Sequence, residues 1–382
     1  MRRQLRGFAV TAVALTSVLS MAACAKDTGS TGGGSTSAAG EGCKFAEKPP
    51  AAAATSSTSA TTGEKVDGSA LKVGLAYDIG GRGDASFNDA AAAGLDKAKA
   101  DLGLKDVKEL TAAPNEAEDA KVTRLRQMAS EGFNVIVTVG FAYAESLKTV
   151  APEFPNVKFS IVDGSVEGAS NVTPLVFAEE QGSFLAGVIA AYQSAKCHVG
   201  FVGGVETPLI GKFEAGYLQG AKAAAPDIKI EKKYLTPAGD FTGFQDPAKG
   251  QVAAQGQIDA GADVLYHAAG ASGKGVFSAA KAANVKAIGV DSDQYNQTTV
   301  AESKDVIVSS MIKRVDVAVY DFIKASAKND LASLPKVFDL KSDGVGYSTS
   351  GGKIDADLQA VLEGYKAQII EGKITVSDQP TS

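Results

Sequence analysis

Parts of this 382-residue chain repeat one another at a nearly fixed distance. Gln127-Met-Ala-Ser-Glu-Gly-Phe-Asn-Val-Ile-Val-Thr-Val-Gly140 parallels Gln257-Ile-Asp-Ala-Gly-Ala-Asp-Val-Leu-Tyr-His-Ala-Ala-Gly270. Lys158-Phe-Ser-Ile-Val-Asp163 parallels Lys286-Ala-Ile-Gly-Val-Asp291, and Val73-Gly matches Val199-Gly. Chance similarity is common in Ala- and Val-rich chains, but it rarely keeps an offset of 126 to 130 residues. The pattern therefore reads as a duplication. Each half alternates apolar runs with helical patterns, the mark of a parallel, doubly wound α/β lobe. The first half predicts strands at 71–77, 106–111, 134–139 and 157–162, with helices at 85–102, 116–131 and 143–150. The second predicts strands at 198–203, 228–235, 263–267 and 286–290, with helices at 211–225, 247–260 and 274–283. A helix over 313–328 and another over 355–371 follow.

Two such lobes imply a cleft between them, with the connecting segments as hinges. Candidate hinges lie at 172–182, 292–296 and 306–312. The expected division is an N-terminal lobe over 70–175, to which segments after about 292 return, and a C-terminal lobe over 176–305. Crossover and C-terminal helices fill 306–382.

The ends do not belong to either lobe. Arg2, Arg3 and Arg6 precede a mostly apolar stretch from Gly7 to Leu19, and Met21-Ala-Ala-Cys24 follows. The apolar stretch is short for a membrane span and reads as a leader over 1–23. A cysteine after small residues resembles a bacterial lipoprotein signal, in which Cys24 becomes the acylated first residue. An ordinary cleaved leader with an incidental cysteine is the alternative. Residues 24–69 are rich in Gly, Ser, Thr and Ala and read as a disordered tether. About 45 flexible residues span roughly 35–40 Å r.m.s., enough to lift a folded body off a membrane. Loss of the three leader arginines takes the formal charge from −6 to −9, a poor balance for nucleic-acid binding. In an oxidising compartment Cys43 and Cys197 form either a disulfide or two free thiols.

The densest chemistry is Asp78-Ile-Gly-Gly-Arg-Gly-Asp-Ala-Ser-Phe-Asn88, where the first strand turns into the first helix. Ligands of open α/β sheets bind outside the carboxyl ends of strands. Phe87 and Phe244 offer faces to a flat ring; Phe241, in the stretch before Phe244, is the alternative. Asp78 and Asp291 are acceptors for vicinal hydroxyls, Asn88 and Glu145 for the edge of a ring. Lys313 lies after a crossover, placed to donate to a ligand or to pair with Asp291. Asp163, the repeat partner of Asp291, ranks lower.

Other chemistries find little support. Only His198 and His267 exist, and no Cys/His group has metal-ligand spacing. His267 ends a strand and is a weak ligand candidate. No Gly-x-Ser-x-Gly elbow is present. Gly81-Arg-Gly83 lacks the third glycine of a dinucleotide fingerprint, and Gly270-Ala-Ser-Gly273-Lys274-Gly275 lacks the spacing of a phosphate loop. No metal or cofactor is expected.

Residues 70–345 resemble the basic membrane protein lipoproteins, the substrate-binding components of purine nucleoside ABC transporters. The resemblance rests on Asp78-Ile-Gly-Gly with Ser86-Phe-Asn88, Val139-Gly-Phe141, Glu180-Gln-Gly-Ser-Phe-Leu-Ala-Gly187 and Gly200-Phe-Val-Gly-Gly204. It continues through Lys212-Phe-Glu-Ala-Gly-Tyr217, Phe244-Gln-Asp-Pro-Ala-Lys-Gly250, His267-Ala-Ala-Gly270, Gly289-Val-Asp-Ser-Asp-Gln294 and Ser310-Met-Ile-Lys-Arg-Val-Asp316. It implies a type I periplasmic-binding-protein fold with a nucleoside between the lobes. Phe87 and Phe244 would then sandwich the base, with Asn88 and Glu145 reading its edge. Asp78, Asp291 and Lys313 would hold the ribose, and Gly270 would allow close backbone approach. Relatives more often carry Asp where Glu145 stands. The expected role is a lipid-anchored extracytoplasmic receptor that serves a permease and catalyses nothing. A receptor for a sugar or other small solute, a surface nucleosidase or hydrolase, and an added sensor or adhesin role are the alternatives.

Overall fold

The computed structural model describes residues 42–51 and 66–380. The leader, Cys24 and most of the expected tether lie outside them.

The N-terminal lobe is built on β1 (Lys72–Tyr77), β2 (Asp106–Thr111), β3 (Val135–Val139), β4 (Lys158–Val162) and β5 (Val172–Leu175). The strands are parallel in the order β2-β1-β3-β4-β5. Helices α1 (Phe87–Leu102), α2 (Glu118–Ser130) and α3 (Ala144–Val150) connect them. Strands β1 and β3 are apolar along nearly their whole length because helices cover both sheet faces.

The C-terminal lobe begins with α4 (Glu179–Gln193) and continues through β6 (His198–Val205), α5 (Pro208–Ala224), β7 (Lys229–Thr236), α6 (Pro247–Asp259), β8 (Val264–Ala268), α7 (Gly273–Ala283) and β9 (Lys286–Asp291). Then come β10 (Ile307–Lys313), α8 (Val315–Lys328), β11 (Val345–Tyr347) and α9 (Ala356–Ile370). Its sheet order is β11-β10-β9-β8-β6-β7, with β11 antiparallel. Read from the other edge, β7-β6-β8-β9-β10 repeats the order β2-β1-β3-β4-β5. The duplicated sequence thus gives a duplicated topology.

Among the described residues three chain crossings join the lobes, and their positions correct the sequence reading. The first runs through 176–178, inside the expected 172–182. The second follows β10 at 313–315: segment 306–312 is itself mostly strand β10 of the C-terminal sheet. The third runs through 338–344 to β11. Segment 292–296 is no crossing, since it turns against β10 within the C-terminal lobe. Only α8 and the chain from it to the third crossing return to the N-terminal lobe, where α8 packs on α1. The first and third crossings are zipped together: Ala178 N donates to Phe338 O, Phe338 N donates to Val176 O, and the Phe177 and Phe338 rings stack 5.1 Å apart.

Helix α4 was not expected from the sequence. It lies under the C-terminal sheet against α5, and glycines set that contact. A Cβ at Gly187 would sit 2.1 Å from Tyr217 O, and one at Gly216 would sit 2.0 Å from Glu180 O. These glycines stand in two of the motifs that carry the family resemblance, and their work is helix packing.

The expected tether also differs. Cys43 is bonded to Cys197, with the Cα atoms 4.9 Å apart. Phe45 stacks on Tyr192 at 4.5 Å, and Ala46 N donates to Ala224 O. Val66 joins the N-terminal core. Residues 43–50 therefore form a strap on the C-terminal lobe. The disulfide closes a sequence separation of 154 residues, and in the chain-entropy picture a cross-link of that span restricts the unfolded chain by about 5 kcal/mol. Reduction, or Cys43→Ser with Cys197→Ser, is expected to lower the urea midpoint by that free energy. An unchanged midpoint with two titratable thiols exposed would contradict the assignment.

Candidate functional site

Both sheets turn their carboxyl strand ends toward the cleft, and a cavity lies there. In the N-terminal lobe the wall comes from the ends of β1, β3 and β4 and the start of α1: Asp78, Gly140, Phe141, Asp163, Asp84, Phe87 and Asn88. Opposite stand Leu209, Ile210 and Phe213 of α5, Phe244, Gly270, Asp291 at the end of β9 and Lys313 at the end of β10. Seven of the eight ligand residues expected from sequence line this one cavity. The eighth, Glu145, does not. It sits one residue into α3 and is exposed.

Phe87 and Phe244 come from opposite lobes. Phe244 rests on Gly204, where a Cβ would sit 2.4 Å from its ring. Phe241 is not part of the cavity wall; it meets Phe141 edge-on across the cleft at 5.7 Å. Gly270 has φ +54°, and a Cβ there would approach Phe244 O to 3.1 Å. Gly140 has φ +104°, and a Cβ would sit 2.6 Å from Asp78 Oδ2. Backbone is thereby exposed to the cavity where side chains would fill it.

Lys313 is 1 % exposed and pairs with Asp163 at 2.6 Å and with Glu179 at 3.2 Å. The expected pairing with Asp291 is not made. Asp291 instead accepts from Ser86 Oγ at 2.5 Å. The Lys313 ammonium also lies 5.0–5.4 Å from the rings of Phe87, Phe177 and Phe213. Burial opposes its charge, but Asp163, Glu179 and Asp291 outweigh burial and hold its pKa above the ordinary lysine value. Burial raises Asp163 to about 7 against the pull of Lys313, and burial also raises Asp291. Asp163 and Asp291 share φ values of +64° and +65°, so the repeat reaches the conformation of single residues.

Asp78 belongs to a different electrostatic group. Burial raises it to about 6, and the charges that act on it are Lys121, Glu116 and Asp84, not Lys313. The acids split into one set about Lys313, beside the chain crossings, and another at the ends of β1 and β2. This departs from the expectation that Asp78, Asp291 and Lys313 act on one ligand group. Asn88 Nδ2 donates to Ile79 O and to Asp84 Oδ2, which leaves Asn88 Oδ1 buried without a partner. Asp163 Oδ1 is also unpartnered. A buried acceptor ordinarily meets a donor from protein, water or ligand.

Sequence reasoning missed Asp84, Phe213 and Glu179. Asp84 accepts from the N–H groups of Ser86, Asn88 and Asp89 and so caps α1. Its place two residues before Ser86 is the available signal. His267 is no ligand contact. It is fully buried against Phe277, and burial lowers its pKa to about 4.

These features define a bilobal solute-binding protein of the type I periplasmic class. Residues 70–379 match the family model described as "ABC transporter substrate-binding protein PnrA-like". The chain is 34% identical over 342 residues to a "CD4+ T-cell-stimulating antigen" of Listeria innocua, covering 86% of this chain and 94% of that one. It is 32% identical over 320 residues to the "ABC transporter nucleoside-binding protein BmpA" of Lactococcus lactis, covering 80% and 89%. A solved solute-binding protein of an ABC transporter system from Aeropyrum pernix superposes with TM-score 0.70 at 28% identity, covering 81% and 94%. The chain belongs to the PnrA-like family of ABC transporter substrate-binding proteins. Its partners are therefore a small-molecule ligand and a membrane permease.

Removing one member of a buried ion pair leaves the other uncompensated, at a cost of about 3–5 kcal/mol. Lys313→Met is expected to destabilise by that amount in denaturant unfolding. Adding Asp163→Asn is expected to recover part of the loss. Equal stability of wild type and Lys313→Met would contradict the pairing.

Proposed function

We propose that this protein captures nucleosides, with purine nucleosides preferred, and delivers them to its permease from a lipid anchor at Cys24 on the extracytoplasmic face. It binds without catalysis. The observation that carries the reading is one cavity lined by a phenylalanine from each lobe and by residues with buried, unpartnered acceptors. Stacking on an aromatic ring contributes about 1–3 kcal/mol per base and tolerates any base. Rings on both lobes give the ligand more contact in the closed form than in the open form, and only such a difference drives closure. The Lactococcus relative named as nucleoside-binding supports the same class.

The two sets of acids divide the ligand. Asp163, Asp291 and Lys313 take the ribose: carboxylates accept from the hydroxyls and the ammonium donates to a ring or hydroxyl oxygen. Asp78 and Asn88 read the base edge, and Gly140 and Gly270 bring the backbone close. Asp78, Asp84, Asp163 and Asp291 against one lysine leave no place for a phosphate dianion. Nucleotides are thus excluded by repulsion and desolvation.

A thermal-shift panel of nucleosides, free bases, nucleotides and sugars tests this. A purine nucleoside at 100 times its Kd should stabilise by about 2.7 kcal/mol. Free base and nucleotide should give much smaller shifts, and Asp291→Ala should erase the advantage of nucleoside over base. A shift with sugars alone would favour a sugar receptor. No shift with any nucleoside would overturn the reading. Release of free base on incubation with excess protein would contradict binding without catalysis.

Asp78 supplies a pH signature. As an acceptor it acts when ionised, and its pKa is raised to about 6 by burial. Nucleoside affinity measured by calorimetry should fall as pH drops through about 6, a step separate from the one that Asp163 contributes near 7. Asp78→Asn should bind more weakly at pH 7.5 and lose the step near 6 while keeping the one near 7. A wild-type affinity that rises on acidification would contradict the role.

A further inference from the structure

The loop that carries Phe87 does not end at its own lobe. Arg82 hooks its outer side to the N-terminal lobe, with Nε 2.6 Å from Glu109 and Nη1 2.9 Å from Asp96. Asp84 and Asp89 brace it from within: Asp84 takes the amides of Ser86, Asn88 and Asp89, and Asp89 takes those of Gly83 and Ala85. The tip, Ala85, then enters the other lobe. It is fully buried in a cluster with Phe277, Ala280, Ala287, Val300, Val306 and Ile307, all of the C-terminal lobe. Its carbonyl accepts from Ser292 Oγ and from Gln294 Nε2, each at 2.9 Å. Lys274 Nζ donates to Gly83 O at 2.5 Å, and Ser86 Oγ reaches Asp291.

Ala85 holds φ +62°, which is disfavoured for an L-residue with a side chain. Glycine would suit that backbone better, but glycine would leave the apolar seat without a methyl group. None of Ala85, Ser292, Gln294 and Lys274 lines the ligand cavity. Yet Phe87 and Asn88 follow Ala85 by two and three residues on the same braced loop.

We infer that Ala85 is a positioning residue, a latch whose docking in the C-terminal lobe sets Phe87 and Asn88 against the ligand and holds the lobes closed over it. This rests on the reading of the cavity as the ligand site. The latch adds closed-state contacts that involve no ligand atom. It therefore acts on the rate of ligand escape through the population of the closed form.

The test is stopped-flow release of a purine nucleoside from wild type, Ala85→Asn, and Lys274→Ala combined with Ser292→Ala. Asparagine tolerates positive φ, and its amide does not fit the apolar seat. Ala85→Asn should speed dissociation about tenfold, with the association rate changed by less than about twofold. The double variant, which keeps Ala85, should speed it about fivefold or more by loss of two hydrogen bonds. A merely structural role would lower the melting temperature of the ligand-free protein and leave release unchanged. Release within twofold of wild type in both chains would overturn the latch. Should Ala85→Asn not fold, the double variant decides alone. If wild type binds no nucleoside, the functional reading fails separately. The latch is then read from small-angle scattering: a larger radius of gyration in Ala85→Asn supports it, and an unchanged one overturns it.

Discussion

Everything at the centre of this molecule is arranged around the charge of Lys313. An ammonium that is 1 % exposed is tolerable only because Asp163 and Glu179 bond to it and three phenylalanine rings surround it. The partners come from different parts of the fold. Asp163 ends β4 of the N-terminal lobe, Glu179 begins the helix after the first crossing, and Lys313 precedes the second crossing. One buried ion pair thus joins the lobes where the chain passes between them. Separating them would strand two carboxylates in a dry interior.

The same group couples support to binding. Lys313 lies over Phe87 and lines the cavity beside Asp291. Asp291 is in turn held by Ser86 of the loop that carries Phe87. A ligand at this end touches residues that also fix the crossings and the loop. On the proposed reading, closure and recognition use one set of side chains.

Much of the lobe architecture was legible because half-buried helices and buried strands write their period into the sequence. Gly-rich strand ends marked the cavity walls, and the repeat paired Asp163 with Asp291. The failures have physical causes. Helix α4 is buried on nearly all sides, so Gly-Ser-Phe-Leu-Ala-Gly-Val-Ile shows no amphipathic period. The strap at 43–50 has a tether's composition and is held by a disulfide and a ring stack that local sequence does not announce. Glu145 was placed by analogy with a motif position, but α3 turns it outward. The grouping of acids escaped because partners 16 to 150 residues apart are set by packing and not by spacing.

The central claim is that Phe87 and Phe244 close on a base while the Lys313 end holds its sugar. A crystal structure grown with a purine nucleoside tests it most directly. The account predicts the base between the two rings, its edge at Asp78 and Asn88, and the ribose hydroxyls at Asp163 and Asp291. A nucleoside bound with its sugar at Asp78, or outside the cleft, would contradict it.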